Sequence, residues 1–533
     1  MGFLSDLKMY ARFAMGLRGF LRYTISLEEA KAIVKKRMEE REMNFLRLIK
    51  KGVFGYPNSP YLPLLKLARC ELGDIENMVR SRGLEDTLLA LREAGVYVTF
   101  EEFKGREPIV RDGQHIHVKT QSFDNPYLKH YYGGTSGGTT GPGTRVTTDL
   151  AHLADEAPNI ILGHYTHHAL GIPTVIWYGI PPDNTGLNGI LVRAKFGNVP
   201  RKWFSPLKSR EVRGPLKNLM LTYCFVVLGR LCGTSIPRPK FLSLDQAAVV
   251  AYWVAESLQT HGACLVATHV SMALRICIAA FEQGIDLTGA IFWAGGEPPT
   301  PSKVQGITRT GACFVPTYFF TEIGAVGLGC AQPADCNDIH LFKDFLALIL
   351  YPRQLPGTVY TINAFYFTTL LPAAPKLLLN VESDDYGIIE KRSCGCLLES
   401  YGFTEHLRHI RSFSKLTGDG VTLLGSEMIH ILEEILPARF GGSPLDYQLL
   451  EEEDEKGFTH LSLLVSPKVK IDDEAEVFKT VLESLGHGSD AADLARNIWT
   501  QSMALQIKRI EPIWTARGKL MPLQLAKRFK NSD

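Results

Sequence analysis

Between Gly133 and Gly141 the chain reads Gly-Gly-Thr-Ser-Gly-Gly-Thr-Thr-Gly, five glycines and four hydroxyl residues in nine positions. Glycines let successive backbone N–H groups turn to one side and approach an anion closely. Ser136, Thr139 and Thr140 add hydroxyl donors, while Gly137, Gly138 and Gly141 keep the path open. Such a loop can embrace a polyphosphate without a fixed positive charge of its own. It is not a Walker loop, because no Gly-Lys-Ser/Thr closes it. A flexible Gly/Ser/Thr linker would be out of place between segments patterned for a packed core.

Other segments carry side chains suited to chemistry around a phosphate. Glu322, in Tyr318-Phe319-Phe320-Thr321-Glu322, offers the carboxylate oxygen that a hard cation wants beside phosphate. Asp384-Asp385 adds two adjacent carboxylates. Lys519, in Arg517-Gly518-Lys519, is a cation near the C-terminal end of the sequence. Taken singly, each of these has a plainer reading as core aromatic or solvated charge.

In order and separation the segments resemble the adenylate-forming superfamily, the acyl-CoA synthetases and their relatives. The family loop Ser/Thr-Ser-Gly-Thr-Thr-Gly-Lys-Pro is tracked by residues Ser136 to Pro142, with Gly137 in place of a hydroxyl and no lysine. Arg145 is the candidate to supply that charge. The resemblance implies that this loop holds the β- and γ-phosphates of ATP. It implies that the backbone of Gly295-Gly296-Glu297 lies along adenine, and that Tyr318 stacks on the base, with Phe319 replacing the family's glycine. Thr321 would contact the α-phosphate, Glu322 would hold Mg²⁺ and Asp385 the ribose. Arg411-Ser412-Phe413-Ser414, then Gly420-Val421 and Glu433-Glu434, look like the hinge and first loop and helix of the phenylacetate–CoA ligase branch, without its hinge aspartates. Arg411 belongs with the nucleotide contacts, and Lys519 resembles the closing lysine that reaches carboxylate and α-phosphate. Some members of that branch carry a structural zinc. The candidates here are Cys394 and Cys396 with Cys336 and His340 upstream, and Cys330 competes for one place.

The implied activity is ATP-dependent formation of an acyl-adenylate with release of pyrophosphate, then transfer to a thiol, first of all CoA. A carrier-protein thiol, an amine, or a reaction that stops at the AMP adduct are alternatives. A non-catalytic nucleotide-binding protein of the same fold is the alternative of another class.

These residues need a scaffold. The chain has 533 residues, more than one ordinary core can organise. Residues 1–110 read as mainly helical, with Ser26 as an N-cap before Glu28 and Glu29. From about 172 to 300, apolar runs such as Thr174–Tyr178, Ala263–Ala267 and Ala290–Trp293 alternate with helical patterns, which argues for α/β layers. Asp384-Asp385-Tyr386-Gly387 and Thr417-Gly418-Asp419-Gly420 read as turns. Beyond them come a helix at 428–436, an extended pair at 446–452 and 460–465, a helix at 473–485 and a strand at 503–510. The expected fold is α/β: a large N-terminal domain of layered sheets, 1–411, and a small mobile α+β domain, 412–533, joined near 411–416.

Composition removes some classes of function. Fifty-eight basic residues against 56 acidic leave a formal charge of +2, so nucleic acid is not a bulk electrostatic partner. Ten scattered cysteines are unlike a secreted disulfide framework and favour a cytoplasmic protein. No apolar stretch reaches the roughly 20 residues that span a bilayer. Residues 7–22 are amphipathic and basic; they read first as a packing helix and second as a membrane-surface helix. A homodimer is compatible with all of this.

Overall fold

The computed structural model describes residues 3–129, 131–135, 145–181, 183–206, 215–354, 361–412, 417–418, 421–422, 425–453, 459–484, 505–515 and 518–525. Its centre is a 12-stranded sheet. In chain order the strands are β1 (Thr174–Trp177), β2 (Lys202–Ser205), β3 (Pro239–Phe241), β4 (Cys264–His269), β5 (Ala290–Gly295), β6 (Cys313–Phe320), β7 (Gly324–Gly329), β8 (Ile339–Leu341), β9 (Leu346–Gln354), β10 (Thr361–Thr369), β11 (Val381–Lys391) and β12 (Glu405–Ser412). Their spatial order is β9-β10-β11-β12-β8-β7-β6-β5-β4-β1-β2-β3.

The half from β6 to β3 is parallel. Parallel neighbours need crossovers, and helices Ala247–His261, Val270–Glu282 and Pro301–Thr308 supply three of them. A sheet covered on both faces turns its strands into continuous apolar runs. Thus Val175 and Trp177 pack into one cluster with the helices after β3, while Ile176 between them faces the other side. Cys264, Val266, Ala290 and Phe292 share the first face, and Leu265, Ala267 and Trp293 the second.

The half from β7 to β9 is antiparallel. The N-terminal helices cover it: Phe45, Leu64 and Leu88 join Leu346, Phe365 and Leu378 in one core. Ser26 caps helix Leu27–Glu39 in a reciprocal box with Glu29. Asp384–Gly387, expected as a turn, lies inside β11. Pairing on both sides of that strand overrides the local turn preference. The register shifts between Tyr386 and Ile388, and a Cβ on Gly387 would come 2.8 Å from the Arg408 carbonyl oxygen.

A second sheet holds β13 (Tyr447–Glu453), β14 (Thr459–Val465), β15 (Leu505–Lys508) and β16 (Leu523–Leu525), in the order β15-β14-β13-β16. It has its own apolar cluster, with Ile431, Leu436, Leu449, Leu463 and Val477. The Arg275 guanidinium lies 3.7 Å over Trp514, and Leu520 joins the cluster around Met272. The N-terminal helix Phe3–Arg22 buries Phe13, Leu17, Phe20 and Leu21 and leaves Arg12, Arg18 and Arg22 outside. Among the described residues no helix is long and apolar enough to cross a membrane.

Candidate active site

β4, β5 and β6 end together: His269 pairs with Gly295, and Gly295 with Thr317. Space beyond the carboxyl ends of parallel strands is where open α/β sheets hold ligands. His269 Nδ1 lies 3.2 Å from the Gly295 carbonyl oxygen, and the Tyr178 ring stands 5.0 Å from the imidazole. Gly296 has φ +81°, and a Cβ there would lie 2.7 Å from His269 Nδ1 and 3.0 Å from Lys519 Nζ. Glycine is required at 296 by both backbone and space.

That proximity brings Lys519 to the end of β5. A tight turn delivers it. The Gly518 N–H donates to the Thr515 carbonyl at 2.9 Å, and the Thr515 N–H donates to the Lys519 carbonyl at 2.9 Å. Gly518 takes φ +78° and packs on Met272 and Leu244.

On the other side of β5 the run from 318 to 322 ends β6 and turns into β7. Tyr318 donates its hydroxyl to Asp385 Oδ2 at 2.6 Å, so two residues 67 apart in sequence meet. Burial and then the Asp385 charge raise the Tyr318 pKa. Phe319 alternates outward and is 45% exposed. Thr321 is exposed at the turn, and Glu322 is buried. Lys104 Nζ lies 2.8 Å from Glu322 Oε1, reaching in from the end of helix Phe100–Phe103. Arg411, on β12 opposite Tyr386, has a buried Nε without a hydrogen-bond partner among the described residues.

Glu297 turns away from the strand ends. Its carboxylate accepts from the Ser271 N–H at 2.8 Å and the Ser271 hydroxyl at 2.5 Å, and Lys303 Nζ is 3.6 Å away. Lys303 also lies 2.7 Å from Glu433 Oε1, and Thr300 donates to Glu433. All four side chains of this network other than Ser271 belong to the junction between the two sheets, and every one is buried.

A thiol cluster lies on the antiparallel side. Ligand atoms of Cys330, His340, Cys394 and Cys396 are all within 4.8 Å of one another. This corrects the expected set: Cys330, not Cys336, is the fourth member. Cys330 follows β7 directly, and its N–H bonds to the Asp338 carbonyl at 3.0 Å, which sets it beside the His340 strand. Cys336 sits in the connecting turn with Sγ 3.9 Å from the Pro299 carbonyl. His340 Nδ1 is 2.7 Å from the Phe403 carbonyl, which assigns the proton to Nδ1. The Nε2 lone pair then faces Cys396 Sγ at 3.1 Å and Cys394 Sγ at 3.7 Å. The Cys330 thiol holds the Cys396 thiol well below its ordinary range and is itself pushed up. Three thiols and one imidazole with a fixed tautomer fit a closed tetrahedral Zn²⁺.

Ser136, Gly137, Gly138, Thr139, Thr140 and Gly141 lie outside the described residues. The strands on either side are described: Tyr131–Thr135 and Arg145–Asp149 pair antiparallel, with Thr135 opposite Arg145. Three site neighbours escaped sequence reading: Lys104, His269 and Lys303. Only His269 had a signal, its place at the end of an apolar run that opens into a helix.

No family model and no curated protein sequence matches the chain. Solved structures do. 2-Hydroxyisobutyryl-CoA ligase, in a postadenylation state with an acyl-adenylate, is 14% identical over 94% of this chain and 90% of that one, with a TM-score of 0.49. The same enzyme with 2-HIB-AMP and CoA is 15% identical over 92% and 90%, at 0.45. The anthranilate CoA ligase AuaEII with anthranoyl-AMP is 11% identical over 82% and 74%, at 0.43.

Proposed function

We propose that the chain is an adenylate-forming ligase that activates a carboxylic acid with ATP and passes the acyl group to a thiol, with CoA the first choice. The observation that carries the reading is Lys519 beside Gly296 and His269 at the strand ends, on the edge that also bears Tyr318 and Glu322. In the first half-reaction a carboxylate oxygen attacks the α-phosphorus, and the bond to the bridging oxygen breaks to release pyrophosphate. Lys519 stabilises charge developing at the α-phosphate. The loop from Ser136 to Gly141 holds the departing phosphates. The backbone of Gly295, Gly296 and Glu297 flanks the adenine, with Tyr318 and Phe319 at the base, Asp385 and Arg411 toward the ribose, and Thr321 at the α-phosphate. In the second half-reaction the thiol adds to the acyl carbonyl and AMP leaves with the bonding pair.

Glu322 fits a metal site, because a buried carboxylate already paired with a cation, Lys104, can exchange that cation for another. Magnesium, when bound, would neutralise charge on the leaving pyrophosphate. Residues 1–411 and 412–533 form the fixed and the moving unit, turning near 411–416 to withdraw Lys519 and admit the thiol. The Cys330–His340–Cys394–Cys396 cluster would hold a structural zinc that ties the β7–β8 connection to the segment before β12.

ATP–pyrophosphate exchange, scanned over aliphatic and aromatic acids, tests the activity; no exchange with any acid rejects it. With an active acid in hand, the absence of a thioester on adding CoA would reject CoA as acceptor. Glu322→Gln is expected to raise the Mg²⁺ concentration at half-maximal exchange. An unchanged Mg²⁺ titration would remove that residue from the metal site. The purified chain is expected to carry stoichiometric zinc by metal analysis. Cys330→Ser and Cys396→Ser should lower it to background and Cys336→Ser should not; the reverse pattern would restore the set excluded above.

A further inference from the structure

From Met220 onward the helix Pro215–Leu231 is apolar on two opposite faces. Phe225, Val226 and Gly229 are buried against the fold, and Phe13 of the N-terminal helix meets Phe225 edge-on at 4.7 Å. The outer side is apolar as well. Met220, Tyr223, Cys224, Val227 and Leu231 fall on one face at helical spacing, with Met220 66%, Val227 52% and Leu231 78% exposed. A helix apolar on opposite faces belongs in an interior or against lipid, and the outer face of this one lies on the surface.

What borders that face is cationic. An open pocket of ≈ 560 Å³ lies between this helix, helix Ala247–His261, the edge strand β3 and its neighbour β2. Arg201, Lys202, Arg230, Arg238 and Lys240 line it against a single carboxylate, Glu256. Arg230 belongs to the apolar helix itself, on the flank of its exposed face, so pocket and face are continuous. Tyr252 on the pocket wall is exposed too. The N-terminal helix packed against Phe225 carries further exposed cations, Arg18 and Arg22 among them.

We infer that this face docks on the surface of a membrane containing anionic lipid. Aliphatic side chains with basic neighbours suit the boundary between headgroups and acyl chains, where the apolar face enters and the cations meet phosphate. A second copy of the chain fits worse: a two-fold interface would set these cations against their own kind. The helix lies on the membrane and does not cross it. The inference stands independently of the adenylation reading and places the enzyme's surface at a lipid phase.

The test is co-sedimentation of the full chain with vesicles of phosphatidylcholine alone and with about one-third phosphatidylglycerol. Binding should need the anionic lipid and weaken as salt rises. Met220→Ser/Val227→Ser/Leu231→Ser and, separately, Arg238→Glu/Lys240→Glu should each weaken it by about tenfold or more. All these positions are on the surface, so thermal unfolding of both variants should match the parent. No binding to the anionic vesicles overturns the inference. So does binding that the apolar triple variant retains, which would mean ionic attraction alone. A dimer in sedimentation equilibrium that the triple variant dissolves, with no vesicle binding, would assign the face to self-association.

Discussion

Lys519→Ala is expected to lower ATP–pyrophosphate exchange by about 10²–10³-fold, the loss typical of removing a preorganised donor aimed at developing charge. The effect should fall on kcat rather than on the KM for ATP, because Lys519 acts where charge appears during the reaction and not on the ground-state nucleotide. Lys519 stands beside Gly296 and His269, held by a turn whose hydrogen bonds are local to Thr515, Gly518 and Lys519. Removing the ammonium leaves that turn intact. Thioester formation from a synthetic acyl-adenylate should proceed in the variant, since that half-reaction does not use the lysine. Exchange undiminished in Lys519→Ala would strip the residue of its role.

The second large effect concerns stability. Lys303→Met should destabilise the fold by about 3–5 kcal/mol, the usual consequence of removing one partner from a buried ion pair. Burial by itself would lower the Lys303 pKa; the charges of Glu433 and Glu297 more than reverse this, and the net shift is upward. A raised lysine pKa contributes stability that is complete below the unfolded value and is lost only as pH rises through the folded one. The contribution is therefore constant across neutral pH. Methionine would leave two buried carboxylates facing each other. The triple variant Lys303→Met/Glu297→Gln/Glu433→Gln should recover much of the loss, because it removes the orphaned charges as well. Urea unfolding midpoints measure both. A single variant as stable as the parent would show that the network does not carry the junction.

Much of the architecture could be read from the sequence because burial on both faces is written locally. β1, β4 and β5 are continuous apolar runs, and Ser26 with Glu29 marks a helix start by chemistry alone. The later elements announced themselves in the same way: the helix at 473–485 is observed as Glu474–Ser484, and the extended pair as β13 and β14. β11 did not, because its polar Asp384–Gly387 segment is held by pairing with two neighbours and not by its own composition. Lys104 and Glu322 are 218 residues apart, and an ion pair between unconnected elements leaves no period in the chain. On paper Cys336 is the first choice for the fourth ligand and Cys330 competes with it. Only the β7–β8 pairing separates them, by placing one at a strand end and the other in the turn.

Gly296 has a consequence for how the two sheets can be handled in the laboratory. The space for one methyl group is all that separates Lys519 Nζ, at 3.0 Å, from a side chain at position 296. Gly296→Ala is thus a wedge. It should push the tip of the Lys519 side chain off the strand ends, so that ATP–pyrophosphate exchange falls toward the level of Lys519→Ala. A single carbon atom would then stand in for deleting the ammonium, with the lysine still in the chain.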